Sequence, residues 1–321
     1  MARREGRRPR ILDDWDFLVG VGDELRMGAL RLADRIDGLF VCSEAVGVPP
    51  LAVLRQLQHY AQRVERGERL SPKEEDKEIA LLIAPGSSLG GARPKANFRG
   101  DDGGLWIAKF PSRNDDWDVG GWEYVLNRLA EAARISVPES GLHELTKGHR
   151  TFTAKRFDRI SNGRRLYASA MTLVGKRDLE SASYLEMAEA ITRYGDPSAI
   201  NEDLVELFRR VVFNVMTAHR DDHLRNHGFL AGLGGWRISP AFDVNPIPTS
   251  SEHALALDEG DHTPSLDLVR QTAVYYRIKP DVAERILREV REAVKAWRNV
   301  AADAGIDGDE IEMMADAFTL S

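Results

Sequence analysis

The stretch His219-Arg220-Asp221-Asp222-His223-Leu224-Arg225-Asn226, with Asp243 seventeen residues beyond its last member, holds the side chains best suited to chemistry. Asp221 can orient a hydroxyl group and accept its proton. Asn226 and Asp243 offer one neutral and one charged oxygen to Mg²⁺, which takes one or two carboxylates and completes its shell with phosphate oxygens and water. The chemistry so described is phosphoryl transfer to a hydroxyl, and His-Arg-Asp-x-x-x-x-Asn has the spacing of a phosphotransferase catalytic loop. A second reading uses the same stretch differently. His219, His223 and His227 recur every fourth residue with Asp221 and Asp222 between them. On a continuous helix they would form a face able to hold Zn²⁺ or a di-metal pair, and the protein would be a metal-dependent hydrolase. Gly228 and the paired aspartates argue against so regular a helix.

Phosphoryl transfer also needs groups that hold a triphosphate, and other elements must bring them. Residues 93–99 and 105–110 read as two strands joined by the turn Gly100-Asp101-Asp102-Gly103-Gly104. Alternation places Ile107 and Lys109 on one face of the second strand. A lysine among apolar neighbours suits an anion such as the α- and β-phosphates of a nucleotide; the competing reading is an edge-strand lysine that discourages aggregation. Trp122, Val125, Leu126 and Leu129 share one face of a helix, and Glu123 beside them either pairs with Lys109 or is a solvated carboxylate. Upstream, Gly86-Ser87-Ser88-Leu89-Gly90-Gly91-Ala92 is either a phosphate-covering loop, whose backbone N–H groups approach an anion, or a connector. It fits neither G-x-G-x-x-G nor the Walker ending.

The rest of the chain supplies a frame. Residues 11–48 mix short apolar runs with glycines and read as short strands and turns. From Pro49, Leu51, Leu54, Leu57 and Tyr60 recur at helical spacing, and Ser71-Pro72-Lys73-Glu74 is a capping box opening a further helix through residues 79–83. Residues 152–160 alternate like a strand leading out of a lobe, and the interlobe hinge is expected there. Beyond Ser183 the pattern is helical. Asn201 is expected to cap a helix burying Leu204, Leu207, Phe208, Val211, Val212 and Val215 that breaks into the catalytic stretch. A hairpin over residues 229–243 would present Asp243 at its end, and later helices are expected over 265–276, 280–302 and 309–318.

Composition narrows the class. The 321 residues are 43% hydrophobic and 30% charged, ordinary for a globular chain long enough for two lobes. A net charge of −7 argues against bulk nucleic-acid binding. The single cysteine, Cys42, excludes an intramolecular disulfide and fits a reducing compartment. No apolar run is long enough to span a bilayer as a helix, and the basic opening Met1-Ala2-Arg3-Arg4-Glu5-Gly6-Arg7-Arg8-Pro9-Arg10 lacks the apolar segment of a secretory signal.

Lys109, Glu123, Asp221, Asn226 and Asp243 stand in the chain order of the protein-kinase parts. In combination, residues 87–95 (Ser-Ser-Leu-Gly-Gly-Ala-Arg-Pro-Lys), Arg156-Phe157-Asp158-Arg159, Asp221 to Phe229 and Phe242-Asp243 resemble the HipA family of bacterial serine/threonine kinase toxins. The resemblance covers nearly the whole chain and includes Arg26-Met27-Gly28-Ala29-Leu30-Arg31. It implies an α+β, two-lobed protein-kinase-like fold, distantly akin to phosphoinositide kinases, with a mixed N-lobe over 1–157 and a mostly helical C-lobe over 158–321. It implies Asp221 as catalytic base and Asn226 and Asp243 as Mg²⁺ ligands. ATP would be held by Lys109, Ser88, Leu89, Gly90, Gly91, Glu123, His223 and Asn226, with Lys155, Phe157 and Asp158 at the nucleotide hinge. Ser88, with Ser87 beside it, would be the autophosphorylated serine. Family substrates are aminoacyl-tRNA synthetases, and the partner is a helix-turn-helix antitoxin through which DNA is reached indirectly. His219-Arg220 stands where many relatives carry Asn-Thr. The start of the chain resembles the shorter HipT type, whose missing N-terminal piece is a separate small protein. The expectation is a cytoplasmic kinase with no membrane role; the alternative is a non-catalytic, antitoxin-binding co-repressor.

Overall fold

Strand alternation builds one sheet with two different faces. The computed structural model describes residues 13–41, 48–66, 93–146, 148–161, 163–177 and 180–318. Strands β1 (Lys95–Arg99), β2 (Leu105–Lys109), β3 (Ser140–His143) and β4 (Thr151–Lys155) form an antiparallel sheet in the order β1-β2-β4-β3. The 100–104 turn closes the hairpin, with Gly103 at φ 74° where glycine carries no steric penalty. Ala96, Phe98 and Ala108 pack beneath helix α2 (Leu54–Glu65), which contributes Leu54, Leu57 and Ala61. Cross-strand pairs Lys95–Lys109, Asn97–Ile107, Ile107–Ala154 and Lys109–Phe152 make up the other face. Lys109 therefore lies on an interior strand, and the edge-strand reading does not hold.

Helix α3 (Val119–Ala132) packs against β3 and β4 and starts at Asp118, whose side chain accepts from Gly121 N–H. Its Trp122, Val125, Leu126 and Leu129 are fully buried in the same core as α6 (Ile200–Met216). Truncating one such leucine to alanine costs about 2–5 kcal/mol. Around α6 pack α5 (Tyr184–Tyr194), opened by a Ser183–Glu186 capping box, α7 (Leu266–Thr272) and α8 (Pro280–Val294), with the short α4 (Ala170–Val174) against α5. Helix α6 is buried along most of its length, including the polar Asp203, Arg209, Arg210 and Asn214. A two-stranded ribbon of β5 (Arg159–Ile160) and β6 (Gly163–Arg164) and a three-stranded sheet of β7 (Tyr167–Ser169), β8 (Gly228–Ala231) and β9 (Trp236–Ile238) complete the set of strands.

Four expectations need correction. Residues 14–20 form helix α1 (Asp14–Gly20), not strands: a short apolar run does not distinguish the two. Helix α6 begins at Ile200 with Ala199 as its N-cap, so Asn201 lies inside the helix. The expected 280–302 helix is two, because the chain turns at Lys295-Ala296 before α9 (Trp297–Asp303). That turn lets Trp297 stack on Phe318 at 4.2 Å and 5°. The last expected helix is α10 (Gly308–Met313) followed by a separate 3-10 turn, Ala315–Ala317. Cys42, the 71–83 helix and the 86–92 loop lie outside the described residues. Among the described residues no helix is long and apolar enough to cross a membrane.

Candidate active site

The sheet's second face forms one wall of a cavity of about 630 Å³. From it Lys109 Nζ donates to Glu123 Oε1 of α3 at 2.5 Å and to Asp243 Oδ1 at 2.6 Å. Burial alone would lower the Lys109 pKa, but the Asp243 and Glu123 carboxylates together raise it, so the ammonium is held charged. Lys109 in turn holds Asp243 well below the usual carboxylate range, against the effect of burial. Burial pushes Glu123 upward, and Lys109 only partly offsets it. Three segments far apart in sequence thus meet at one ammonium.

The opposite wall is the stretch after α6. Thr217 closes the helix by donating its hydroxyl to Phe213 O at 2.8 Å, and Ala218 then takes φ 46°. A left-handed alanine is uncommon, and such conformations concentrate where a loop must be aimed. The aim is set by Asp222, not by Asp221. The buried Asp222 carboxylate accepts from Tyr184 Oη at 2.6 Å and Asn214 Nδ2 at 2.7 Å, and meets His227 Nε2 at 2.8 Å. His219 Nε2 approaches its other oxygen at 3.4 Å, while His219 Nδ1 lies 2.9 Å from Asn245 O. Burial would raise the Asp222 pKa, but His227 and His219 hold it well below the usual value. With its neighbour turned inward, Asp221 is exposed at the cavity.

The zinc-type hydrolase reading fails on this geometry. Residues 217–223 are not helical, so the three histidines do not share a helix face; His219 and His227 turn onto Asp222, while His223 faces the cavity. Among the described residues no three His, Cys, Asp or Glu side chains are grouped as metal ligands. A sparser site does fit Mg²⁺. Asn226 donates Nδ2 to Asp221 O at 3.1 Å, which leaves its amide oxygen for a cation, and the Asp243 side chain is 42% exposed. Both are hard oxygen donors of the kind Mg²⁺ takes. Asp243 follows the β8–β9 hairpin and adopts φ 61°, a conformation aspartate tolerates better than most residues.

Lys155, Phe157 and Asp158 also line the cavity, with different freedom. The Lys155 side chain is drawn outward to Asp102 and Glu139. Asp158 is fully buried and committed to Arg156 and Arg159, so its carboxylate is not free for a ligand. The Phe157 ring lies 5.6 Å from that of Phe242, and among the described residues its backbone N–H has no hydrogen-bond partner. Ser87, Ser88, Leu89, Gly90 and Gly91 lie outside the described residues. Two features escaped the sequence reading. Lys95, opposite Lys109, lines the cavity with its pKa lowered by burial and then by Lys109; its alternation with Asn97 on β1 was the available signal. Asp222 as the buried hub had none, since its partners Tyr184 and Asn214 lie on other elements.

A lysine–glutamate pair on a sheet and helix, facing an Asp/Asn loop and a further aspartate, within this topology defines an α+β kinase-like fold. Residues 87–297 match the family model for the HipA-like C-terminal domain, and the chain belongs to that family. In fold it is similar to HipA of Shewanella oneidensis MR-1, solved as a complex of HipA, HipB and operator DNA. The TM-score is 0.65 at 16% identity, covering 98% of this chain and 78% of that one. The Helicobacter pylori proinflammatory kinase CtkA aligns at 15% identity over 71% of this chain and 92% of its own, with a TM-score of 0.49. Among curated proteins none matches the chain in sequence.

Proposed function

We propose that the protein is a Mg-ATP-dependent serine/threonine protein kinase acting as the toxin of a toxin–antitoxin system. The observation that carries this reading is the single cavity at which Lys109, braced by Glu123, faces Asp221, Asn226 and Asp243. Lys109, with Lys95 beside it, binds the phosphates, and Phe157 offers its backbone N–H to the base. Asp221 orients the acceptor hydroxyl and takes its proton. Asn226 and Asp243 would hold Mg²⁺, which would neutralise charge on the phosphate oxygens. The lobes divide at Phe157, the N-lobe running over residues 1–157 and the C-lobe over 158–321.

The finer reading rests on the family resemblance. The protein works in the cytoplasm and phosphorylates an aminoacyl-tRNA synthetase. Its partner is a helix-turn-helix antitoxin, through which it meets DNA. Autophosphorylation at Ser88, or at neighbouring Ser87, shuts it off by adding about −1.5 to −2 charges to the glycine-rich loop. The experiment is Asp221→Gln. The variant should fold and bind ATP but lose phosphotransfer, phosphate on Ser87 or Ser88, and growth arrest on expression. Equal phosphotransfer by both proteins would refute the kinase assignment, and equal toxicity without phosphotransfer would favour the co-repressor.

A further inference from the structure

The segment that follows α1, residues 21–28, is fastened in an unusual way. Its carbonyls are held by two guanidinium groups that flank Phe157 and Asp158 in sequence. Arg156 donates to Leu25 O at 2.8 Å and to Arg26 O at 3.3 Å. Arg159 donates to Glu24 O at 3.0 Å, Arg26 O at 2.7 Å and Gly28 O at 3.4 Å. In return Gly28 N–H donates to Asp158 Oδ2 at 2.7 Å. The Arg156–Asp158 pair at the centre is 1% exposed on both sides. Burying such charges costs solvation free energy, and the return is a fixed position.

Position is also what Gly28 requires. It adopts φ 74°, and a Cβ there would lie 3.1 Å from both Cβ and N of Tyr167, itself a cavity residue. The turn is thus pressed onto the cavity wall, and the side chain it delivers is Met27. Half-buried Met27 lines the cavity with Ile107, Ala154, Phe157 and Tyr167, and Arg156 reaches its sulfur at 3.6 Å. These side chains are apolar lining, whereas Lys109, Asn226 and Asp243 supply polar groups to the same cavity. A thioether adapts its shape to a flat ring and packs favourably on aromatic systems.

We infer that Met27 is a base-contacting residue of the nucleotide site, carried there by the turn at residues 24–28 and locked to the hinge by Arg156 and Arg159. The inference rests on the cavity being the ATP site and adds a wall contributed by the start of the described chain. Because one ionic cluster joins turn and hinge, they move as one body. Met27 packs on the purine and leaves the phosphates to the lysines.

The test measures binding of Mg-ATP and of magnesium tripolyphosphate, which lacks base and ribose, to the full chain by calorimetry. Met27→Ala should weaken ATP about tenfold, the usual effect of removing a small apolar contact, and leave tripolyphosphate within twofold. If Met27→Ala melts below the assay temperature, the similarly sized Met27→Gln should give the same split. An ATP affinity unchanged in the variant, or equal weakening of both ligands, would overturn the inference. Failure of the wild type to bind either ligand would instead remove the underlying site assignment, and the inference with it.

Discussion

Replacing Glu123 by glutamine tests the brace on Lys109 with little change of shape. The Glu123 carboxylate receives a 2.5 Å bond from a buried ammonium, and Asp243 receives another at 2.6 Å. A hydrogen bond to a charged group contributes roughly 1.5–3 kcal/mol net. Stranding a buried charge altogether would cost about 3–5 kcal/mol, but Asp243 still compensates Lys109 in the variant. Neutralising Glu123 also relieves the burial penalty that pushes its pKa upward. The stability change should therefore be small and the effect should appear in the reaction. Without Glu123, Lys109 settles onto Asp243, leaving the phosphates and occupying an oxygen assigned to Mg²⁺. A loss of about 2 kcal/mol corresponds to about a 30-fold fall in kcat/KM for ATP. The assay is steady-state phosphotransfer for wild type, Glu123→Gln, Lys109→Met and the double variant. The double variant should be little worse than Lys109→Met alone. Activity of Glu123→Gln within twofold of wild type, or strictly additive losses across the cycle, would refute the bracing role.

Two further outcomes concern groups that hold the site in place. Asp158 has its pKa lowered because Arg156 and Arg159 overcome the upward push of burial. Its stabilising contribution is thus present above the unfolded value of about 3.9 and lost as pH falls through the lower folded value. Asp158→Asn should lose about 3–5 kcal/mol at pH 7 by stranding the arginines, and its gap from wild type should narrow below about pH 4 in denaturant titrations; a gap constant with pH would contradict this. Glu310 accepts from Trp122 Nε1 at 2.7 Å and from Asp118 N–H at 3.0 Å, tying α10 to the start of the helix that carries Glu123. Glu310→Ala should lower the melting free energy by about 1.5–3 kcal/mol and raise KM for ATP. Unchanged melting would show that the tie contributes nothing.

The sequence alone was enough to place Lys109, Glu123 and Asp243 on a strand, a helix and a hairpin end, because alternation and helical periodicity record which side of an element is buried. It was also enough to order the parts along the chain. It did not show that Lys295-Ala296 breaks a helix, since nothing in that local composition is a breaker; the demand comes from Trp297 reaching Phe318. Nor did it separate the roles of adjacent Asp221 and Asp222, which differ only in which one meets Tyr184 and Asn214. The attachment of Gly28 to Asp158 spans 130 residues and was equally hidden. Periodicity is a local record of burial. Which buried charge meets which donor is decided by the packing of distant elements, because only there does the lost solvation of a carboxylate or guanidinium have to be made good.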